Sequence, residues 1–269
     1  MPGKERKSIY DTETAEGRVT LVGAGPGAAD LITVRGQRLL AEADVVVYDD
    51  LVNEELVALC PKEAERIYVG KRAGRHCLPQ AEIGEILVRE ATVGRHVVRL
   101  KGGDPLVFGR AGEEIEALAR AGIPFEIVPG VTAASAAGAV AGISLTQRGA
   151  ASAVIFVTGH ECREKSRESA VDWAALAATR ATLCIYMGVR RLSLIASELR
   201  AGGLAGNTPV AVITNATLPE QTVSVGDLNS AEALATAAMG QPALLIVGDV
   251  VRLREIVAEA KAKLEIAAV

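Results

Sequence analysis

Val19-Thr-Leu-Val-Gly23-Ala-Gly25-Pro26-Gly27-Ala28 decides the reading of the fold. An apolar, β-branched run leads into a glycine-rich turn, which reads as a strand feeding a loop. Gly23, Gly25 and Ala28 carry the spacing G-x-G-x-x-G/A, and Asp49 follows 21 residues after Ala28, at the end of the next strand. On local grounds this is a dinucleotide-binding fingerprint. Two residues count against a diphosphate ligand. Pro26 removes one amide, and Asp30 puts negative charge where a phosphate would sit. The helix is expected only from about Val34, with Thr33 as its N-cap, so the loop is about ten residues long. A nucleoside read through backbone groups suits it better than a diphosphate; a plain tight turn is the bland alternative.

A second unusual loop lies in Val98-Arg-Leu-Lys101-Gly102-Gly103-Asp104-Pro105. Paired glycines at a strand end let a ligand approach the backbone, and Asp104 can accept hydrogen bonds from ribose hydroxyls or an amine. Both loops leave the carboxyl ends of strands, where parallel sheets bind their ligands.

Outward from these loops, short β-branched runs alternate with helical patterns, the signature of an α/β chain. Strands are expected at Val19–Val22, Asp44–Tyr48, Arg66–Val69, His96–Leu100 and Phe125–Val128, then at Ala153–Thr158, Thr182–Tyr186, Pro209–Ile213, Thr222–Val225 and Ala243–Val247. The fold class is therefore two abutting α/β domains of about five strands each, with a ligand cleft between them. The break falls at Pro129–Gly130, before the small-residue helix Thr132–Ala141. Residues 1–17 read as a disordered tail, 18–131 and 132–255 as the two domains, and 256–269 as a C-terminal helix or tail.

Composition narrows the function. The 269 residues are 49% hydrophobic but include only three Phe, four Tyr and one Trp, so the core is aliphatic. Lys and Arg number 29 against 33 Asp and Glu, a net charge of −4, which argues against a protein built to grip nucleic acid. No run approaches the roughly 20 apolar residues that span a bilayer, and the N-terminal stretch has no signal-peptide pattern. Cys60, Cys77, Cys162 and Cys184 form no CxxC pair, and His76, His96 and His160 are scattered. A cytoplasmic protein with no metal is the expectation.

One segment runs against the overall charge. Arg66 to Ala81 contains Arg66, Lys71, Arg72 and Arg75, together with His76, and no acid. Gly70 and Gly74 keep it from being a regular helix. A cationic loop on an acidic protein suits a polyanionic small molecule, although a solvated surface loop would look the same.

Six blocks then appear in order: Gly23-Ala-Gly-Pro-Gly; Val47-Tyr-Asp49-Asp-Leu-Val; Val69-Gly-Lys71-Arg-Ala-Gly-Arg-His-Cys-Leu-Pro-Gln80; Arg99-Leu-Lys-Gly-Gly-Asp-Pro-Leu-Val-Phe-Gly-Arg110; Val128-Pro-Gly-Val-Thr-Ala133; and Asn215-Ala-Thr-Leu-Pro-Glu-Gln221. Together they resemble the uroporphyrinogen-III C-methyltransferases of the tetrapyrrole methylase superfamily, from about Arg18 to Leu253. The Gly-Lys-Arg-Ala-Gly…Leu-Pro-Gln block is the specific part. The resemblance implies a homodimer that binds S-adenosylmethionine between two α/β domains and methylates uroporphyrinogen III at carbons 2 and 7, giving precorrin-2. It also implies a single-function enzyme, without the dehydrogenase and chelatase region of fused sirohaem synthases.

Carried over by position, the resemblance implies cofactor contacts at Pro26, Gly102, Gly103, Asp104, Val107, Thr132, Ala133, Met187 and Ala216. It implies a proton acceptor at Asp49 and a donor at Lys71. Arg72, Arg75, Arg110 and Arg148 would hold the substrate's carboxylates. Three positions depart from the family's pattern: Asp50 and Leu218 stand where Arg is usual, and Gln147 where His is usual. A methylase for a later corrinoid and an NAD-dependent dehydrogenase stay open as alternatives.

Overall fold

The computed structural model describes residues 17–70, 78–160 and 171–254. Its strands form two five-stranded sheets. The first contains β1 (Arg18–Gly23), β2 (Val45–Tyr48), β3 (Glu65–Tyr68), β4 (His96–Lys101) and β5 (Phe125–Val128), in the order β3-β2-β4-β1-β5. Every pairing in it is parallel. Parallel strands covered on both faces read as continuous apolar runs, and β1 is buried from Val19 to Gly23. Helices α1 (Val34–Leu40) and α2 (Glu54–Val57) cover one face, where Leu40 and Leu56 pack on Val22, Val46, Val98 and Leu100. On the other face, α3 (Gln80–Thr92) and α4 (Ala111–Arg120) set Ile83, Leu87 and Leu118 against Val19, Leu21, Val45 and Val97.

The second sheet joins β6 (Val154–Thr158), β7 (Thr182–Tyr186), β8 (Pro209–Thr214), β9 (Thr222–Asp227) and β10 (Ala243–Val247) in the order β6-β7-β10-β8-β9. Only β6 and β7 run parallel; the other pairings are antiparallel. Helix α5 (Ala133–Ala141) lays Ala134, Ala137 and Ala141 on the face carrying Cys184, Ala211 and Ile213. Helices α6 (Trp173–Thr179), α7 (Leu192–Ala201) and α8 (Ala231–Ala237) cover the opposite face, around Leu183, Ile185, Val212 and Leu245. The small side chains of α5 let its backbone lie close to the sheet. The helix thereby belongs with the second sheet, and the chain passes from one sheet to the other at Pro129–Thr132.

The ten strands fall where the sequence places them. The N-cap does as well, since the Thr33 hydroxyl accepts from Gly36 N–H. A short 3₁₀ turn at Ala29–Leu31 inside the glycine loop was not expected. The predicted terminal segments, 1–17 and 256–269, lie outside the described residues except for Gly17, which is buried. No helix among the described residues is long and apolar enough to cross a membrane.

His96, the first residue of β4, is 5% exposed, with its Nε2 3.0 Å from the Thr20 hydroxyl. Burial, helped by the nearby Arg18 charge, holds its pKa below the ordinary imidazole value of 6.5; the Glu42 carbonyl and the carboxylates of Asp44 and Glu42 pull the other way and lose. A depressed native pKa means that the unfolded chain binds the proton more readily. Stability is then fully present above about pH 6.5 and declines as the pH falls through the lowered native value. Thermal melts between pH 7.5 and 5.5 should show this decline, and His96→Asn should flatten it; an unchanged slope in the variant would refute the assignment.

Candidate active site

Three loops from the carboxyl ends of β1, β4 and β5 meet at one point. Gly25 and Gly103 exchange backbone hydrogen bonds, Gly25 N–H to Gly103 O at 3.2 Å and Gly103 N–H to Gly25 O at 2.6 Å. Both have positive φ, 79° and 70°, which glycine adopts without strain. Gly130 closes the cluster: a Cβ there would lie 2.3 Å from Gly103 O, and one on Gly23 would lie 2.5 Å from Gly130 Cα. On Gly103, by contrast, a Cβ would meet nothing within 4 Å. The junction is closed toward the sheet and open on its outer side.

Asp104 ties two of these loops together. Its Oδ2 accepts from Gly130 N–H at 3.0 Å and its Oδ1 from Leu106 N–H at 2.9 Å. The side chain is thus a brace as well as a candidate ligand contact, because each oxygen keeps a lone pair. If Asp104 is the cofactor contact that the sequence resemblance implies, Asp104→Ala should weaken S-adenosylhomocysteine binding more than tenfold, about 1.4 kcal/mol, in a calorimetric titration. A smaller loss would reduce Asp104 to a turn residue.

The connections from β2 and β4 leave in opposite directions, toward β3 and β5, so a crevice is expected between the carboxyl ends of these neighbours. Asp49 stands there, its side chain 29% exposed. Its Oδ2 accepts from Arg99 Nη2 at 2.9 Å and its Oδ1 from Leu51 N–H at 3.2 Å. Beneath it lies a charge network that the sequence reading missed. Arg99 Nε donates to Glu114 Oε1 at 3.1 Å, while Lys101 Nζ sits 2.9 Å from both Glu114 oxygens. Gln80 Nε2 donates to Glu114 Oε1 at 2.9 Å. Burial, and then the Arg99 charge, lower the Lys101 pKa against the pull of Glu114. The signal was available. Arg99 and Lys101 alternate onto one face of a fully buried strand, and Glu114 shares the core stripe of α4 with Ala111 and Leu118.

The second sheet contributes the facing side. Tyr186 ends β7; its hydroxyl lies 2.6 Å from Thr132 Oγ1 and accepts from Ala134 N–H at 3.1 Å. Burial chiefly raises its pKa. Its ring packs on Phe108 at 4.7 Å between centroids, joining the β4–α4 loop to the second sheet. The adjoining Met187 is 54% exposed. A second tie runs from Ala28 N–H to Thr217 Oγ1 at 2.9 Å. Thr217 has φ of 74°, costly for a β-branched residue, and Gln221 Oε1 holds its N–H at 2.8 Å. Phe108, Arg110, Met187 and Asn215 also take positive φ. Among the described residues, five of the six non-glycine residues with this geometry therefore cluster around these loops, a concentration typical of functional sites.

Most of the sequence-predicted cofactor residues share this rim. Pro26, Gly102, Gly103, Asp104 and Val107 lie on the first two loops, Thr132 and Ala133 at the start of α5, and Met187 after β7. Ala216 belongs because its carbonyl would sit 3.1 Å from a Cβ on Gly27. Tyr186 and Gln221 were not singled out. The arginines divide. Arg110 pairs with Glu113 at 2.8 Å on the surface. Arg148 stands apart, since the adjoining Gly149 and Ala150 line a hollow of about 460 Å³ with Leu183 and Val247. Those two residues pair at the opposite end of the second sheet from Tyr186 and Leu244. Lys71, Arg72 and Arg75 lie outside the described residues. Of the departures, Asp50 accepts from the Tyr68 hydroxyl, and Leu218 fills the space beside Gly27.

The dinucleotide alternative fits poorly. Regular helix begins only at Val34, and the Ala28 amide that would greet a pyrophosphate is donated to Thr217. Among the described residues, no three His, Cys, Asp or Glu are grouped to hold a metal ion.

Comparison with known proteins agrees with this geometry. A siroheme synthase of Baumannia cicadellinicola subsp. Homalodisca coagulata is 51% identical over 245 residues, 91% of this chain and 52% of that protein. A siroheme synthase 1 of Pectobacterium atrosepticum is 52% identical over 244 residues, again 91% of this chain and 50% of the relative. The chain spans about half the length of these relatives. A uroporphyrin-III C-methyl transferase of Thermus thermophilus, complexed with S-adenyl homocysteine, superposes with a TM-score of 0.75 at 41% identity, covering 88% of this chain and 94% of the other. A cobalt precorrin-4 methyltransferase of cobalamin biosynthesis superposes at 0.79 with 30% identity, covering 91% and 99%. The family model described as Tetrapyrrole (Corrin/Porphyrin) Methylases matches residues 18–232. Glycine loops, paired sheets and sequence likeness agree: this chain belongs to the tetrapyrrole methylase family.

Proposed function

We propose that this chain is an S-adenosylmethionine-dependent methyltransferase that methylates uroporphyrinogen III at carbons 2 and 7, giving precorrin-2 by way of precorrin-1. The observation that carries the reading is the Gly25–Gly103 junction, closed by Gly130 but open on the outer side of Gly103. Such a surface takes a ligand against bare backbone, with the Asp104 lone pairs beside it for a hydroxyl or amine donor. The likeness to the Thermus thermophilus enzyme, complexed with S-adenyl homocysteine, supports the choice of cofactor and substrate. In this reading 18–131 and 132–255 are the two domains, the ligands lie in a cleft between them, and the enzyme works as a cytoplasmic homodimer.

Pro26, Gly102, Gly103, Asp104, Val107, Thr132, Ala133, Met187 and Ala216 would hold the cofactor. When bound, it supplies an already activated methyl group. The protein's task is then to align the nucleophilic pyrrole carbon and exclude water. Methylation leaves the macrocycle cationic, and a proton must depart. Asp49, oriented by Arg99 and the Leu51 amide, accepts that proton, and Lys71 acts as the donor. Arg72 and Arg75 meet the substrate's carboxylates, and Arg110 can exchange Glu113 for one of them. Arg148, remote from the rim, is left out of this set.

The test is an assay of the purified protein with uroporphyrinogen III and methyl-labelled S-adenosylmethionine. Two labels in the product are expected; absence of label would overturn the proposal. The likeness to the cobalt precorrin-4 methyltransferase favours a second reading, a later corrinoid substrate. Label entering only a corrinoid precursor would decide for it.

A further inference from the structure

We propose that Arg99 is a positioning residue, which holds the Asp49 carboxylate in the one orientation its proton transfer requires, with Glu114 as the buried anchor. The inference deepens the function proposed above and rests on Asp49 taking part in the reaction.

The Arg99 side chain is 3% exposed, and its planar guanidinium is committed in several directions. Nε donates to Glu114 at 3.1 Å, Nη1 to the Val47 and Leu100 carbonyls at 3.3 and 3.0 Å, and Nη2 to Asp49 Oδ2 at 2.9 Å. A rigid fork bound at this many points has one available pose. Glu114, 0% exposed, is fixed in turn by Lys101 and Gln80, so the anchor cannot swing. Two cations and two carboxylates balance the buried charge, and burial keeps water from competing for the bonds. Asp49, at 29%, is the only one of the four charged groups with appreciable exposure, and it stands at the carboxyl end of β2, beside β4. The network therefore ends in a single oriented carboxylate. It also accounts for the Leu-Pro-Gln80 motif. Gln80 opens α3 at the end of the basic segment, and its bond to Glu114 ties that point of the chain to the same anchor.

The experiment is a double-mutant cycle in the full chain with Arg99→Lys and Asp49→Asn. Lysine keeps the buried charge balanced against Glu114 but cannot reproduce the fork. Arg99→Gln is run in parallel and takes its place if the lysine variant does not fold. Turnover with uroporphyrinogen III is measured beside equilibrium binding of S-adenosylhomocysteine. Binding reports general damage, because Gly102, Gly103 and Asp104 follow Arg99 on the same strand end. Positioning predicts that Arg99→Lys lowers kcat at least tenfold while the Kd stays within threefold, and that the double variant is no slower than Asp49→Asn alone. Additive losses, or a Kd that worsens in step with kcat, overturn the proposal and leave Arg99 a structural residue. If Asp49→Asn retains full turnover, the role of Asp49 fails and the proposal fails with it. If the unaltered protein transfers no methyl group, the proposed function itself is lost.

Discussion

Glu114→Ala should cost about 3–5 kcal/mol of folding stability. The carboxylate is fully buried and neutralises two cations that are themselves 3% and 4% exposed. Among the described residues, removing it leaves Asp49 as the one carboxylate bonded to Arg99 and leaves Lys101 with none within bonding distance. Neither cation can reach water without unpacking α4 from β4. The cost is the desolvation of an uncompensated charge, which far exceeds the value of an exposed pair such as Arg120–Glu116. Denaturant unfolding of Glu114→Ala beside Glu116→Ala makes the contrast measurable. The surface variant should lose no more than about 1 kcal/mol. A loss of similar size for Glu114→Ala would mean that water enters the network and that the buried-charge account is wrong.

Gly130→Ala should abolish useful cofactor binding. The added carbon would sit 2.3 Å from Gly103 O and 2.8 Å from Gly23 Cα, and both neighbours are backbone that cannot rotate away. The β5–α5 loop must move outward, and with it goes the hydrogen bond from Gly130 N–H to Asp104. The strain is expected to cost about 1–3 kcal/mol of stability. The larger effect is on the ligand, because Gly103 forms the open surface. A hundredfold or greater loss of S-adenosylhomocysteine affinity corresponds to about 2.7 kcal/mol. Gly122→Ala is the control. Gly122 has φ of 68° with nothing within 4 Å of a Cβ, so alanine there brings backbone strain alone and should leave binding unchanged. Equal affinity in the two variants would show that the three-glycine junction plays no part in the site.

Much of the fold and part of the site were legible in the chain. Strand positions follow from β-branched runs such as Val45-Val-Val47 and Leu244-Leu-Ile-Val247, whose identity is set by local composition. The motifs Gly23–Gly27 and Gly102–Asp104 announced themselves for a similar reason: glycine is needed where backbones touch, and that need appears as letters in the sequence. Tyr186 and Gln221 escaped because their importance lies in partners 54 and 4 residues away, Thr132 and Thr217. A tyrosine at the end of an apolar strand looks like any core residue. Arg148 is the complementary case: a basic residue in a familiar motif carries no information about which end of the sheet its turn occupies.

Sequence by itself determined that this is an aliphatic α/β chain with two glycine loops at strand ends, because secondary structure and close backbone approach depend on neighbouring residues. Tertiary structure decided what those loops are for one another. The Gly25–Gly103–Gly130 contact, the parallel-only first sheet beside a mixed second one, and the Arg99–Glu114–Lys101 network all join residues far apart in sequence. Long-range pairing is set by what the whole fold buries together, and a buried charge reveals its role only when its counter-charge is seen beside it.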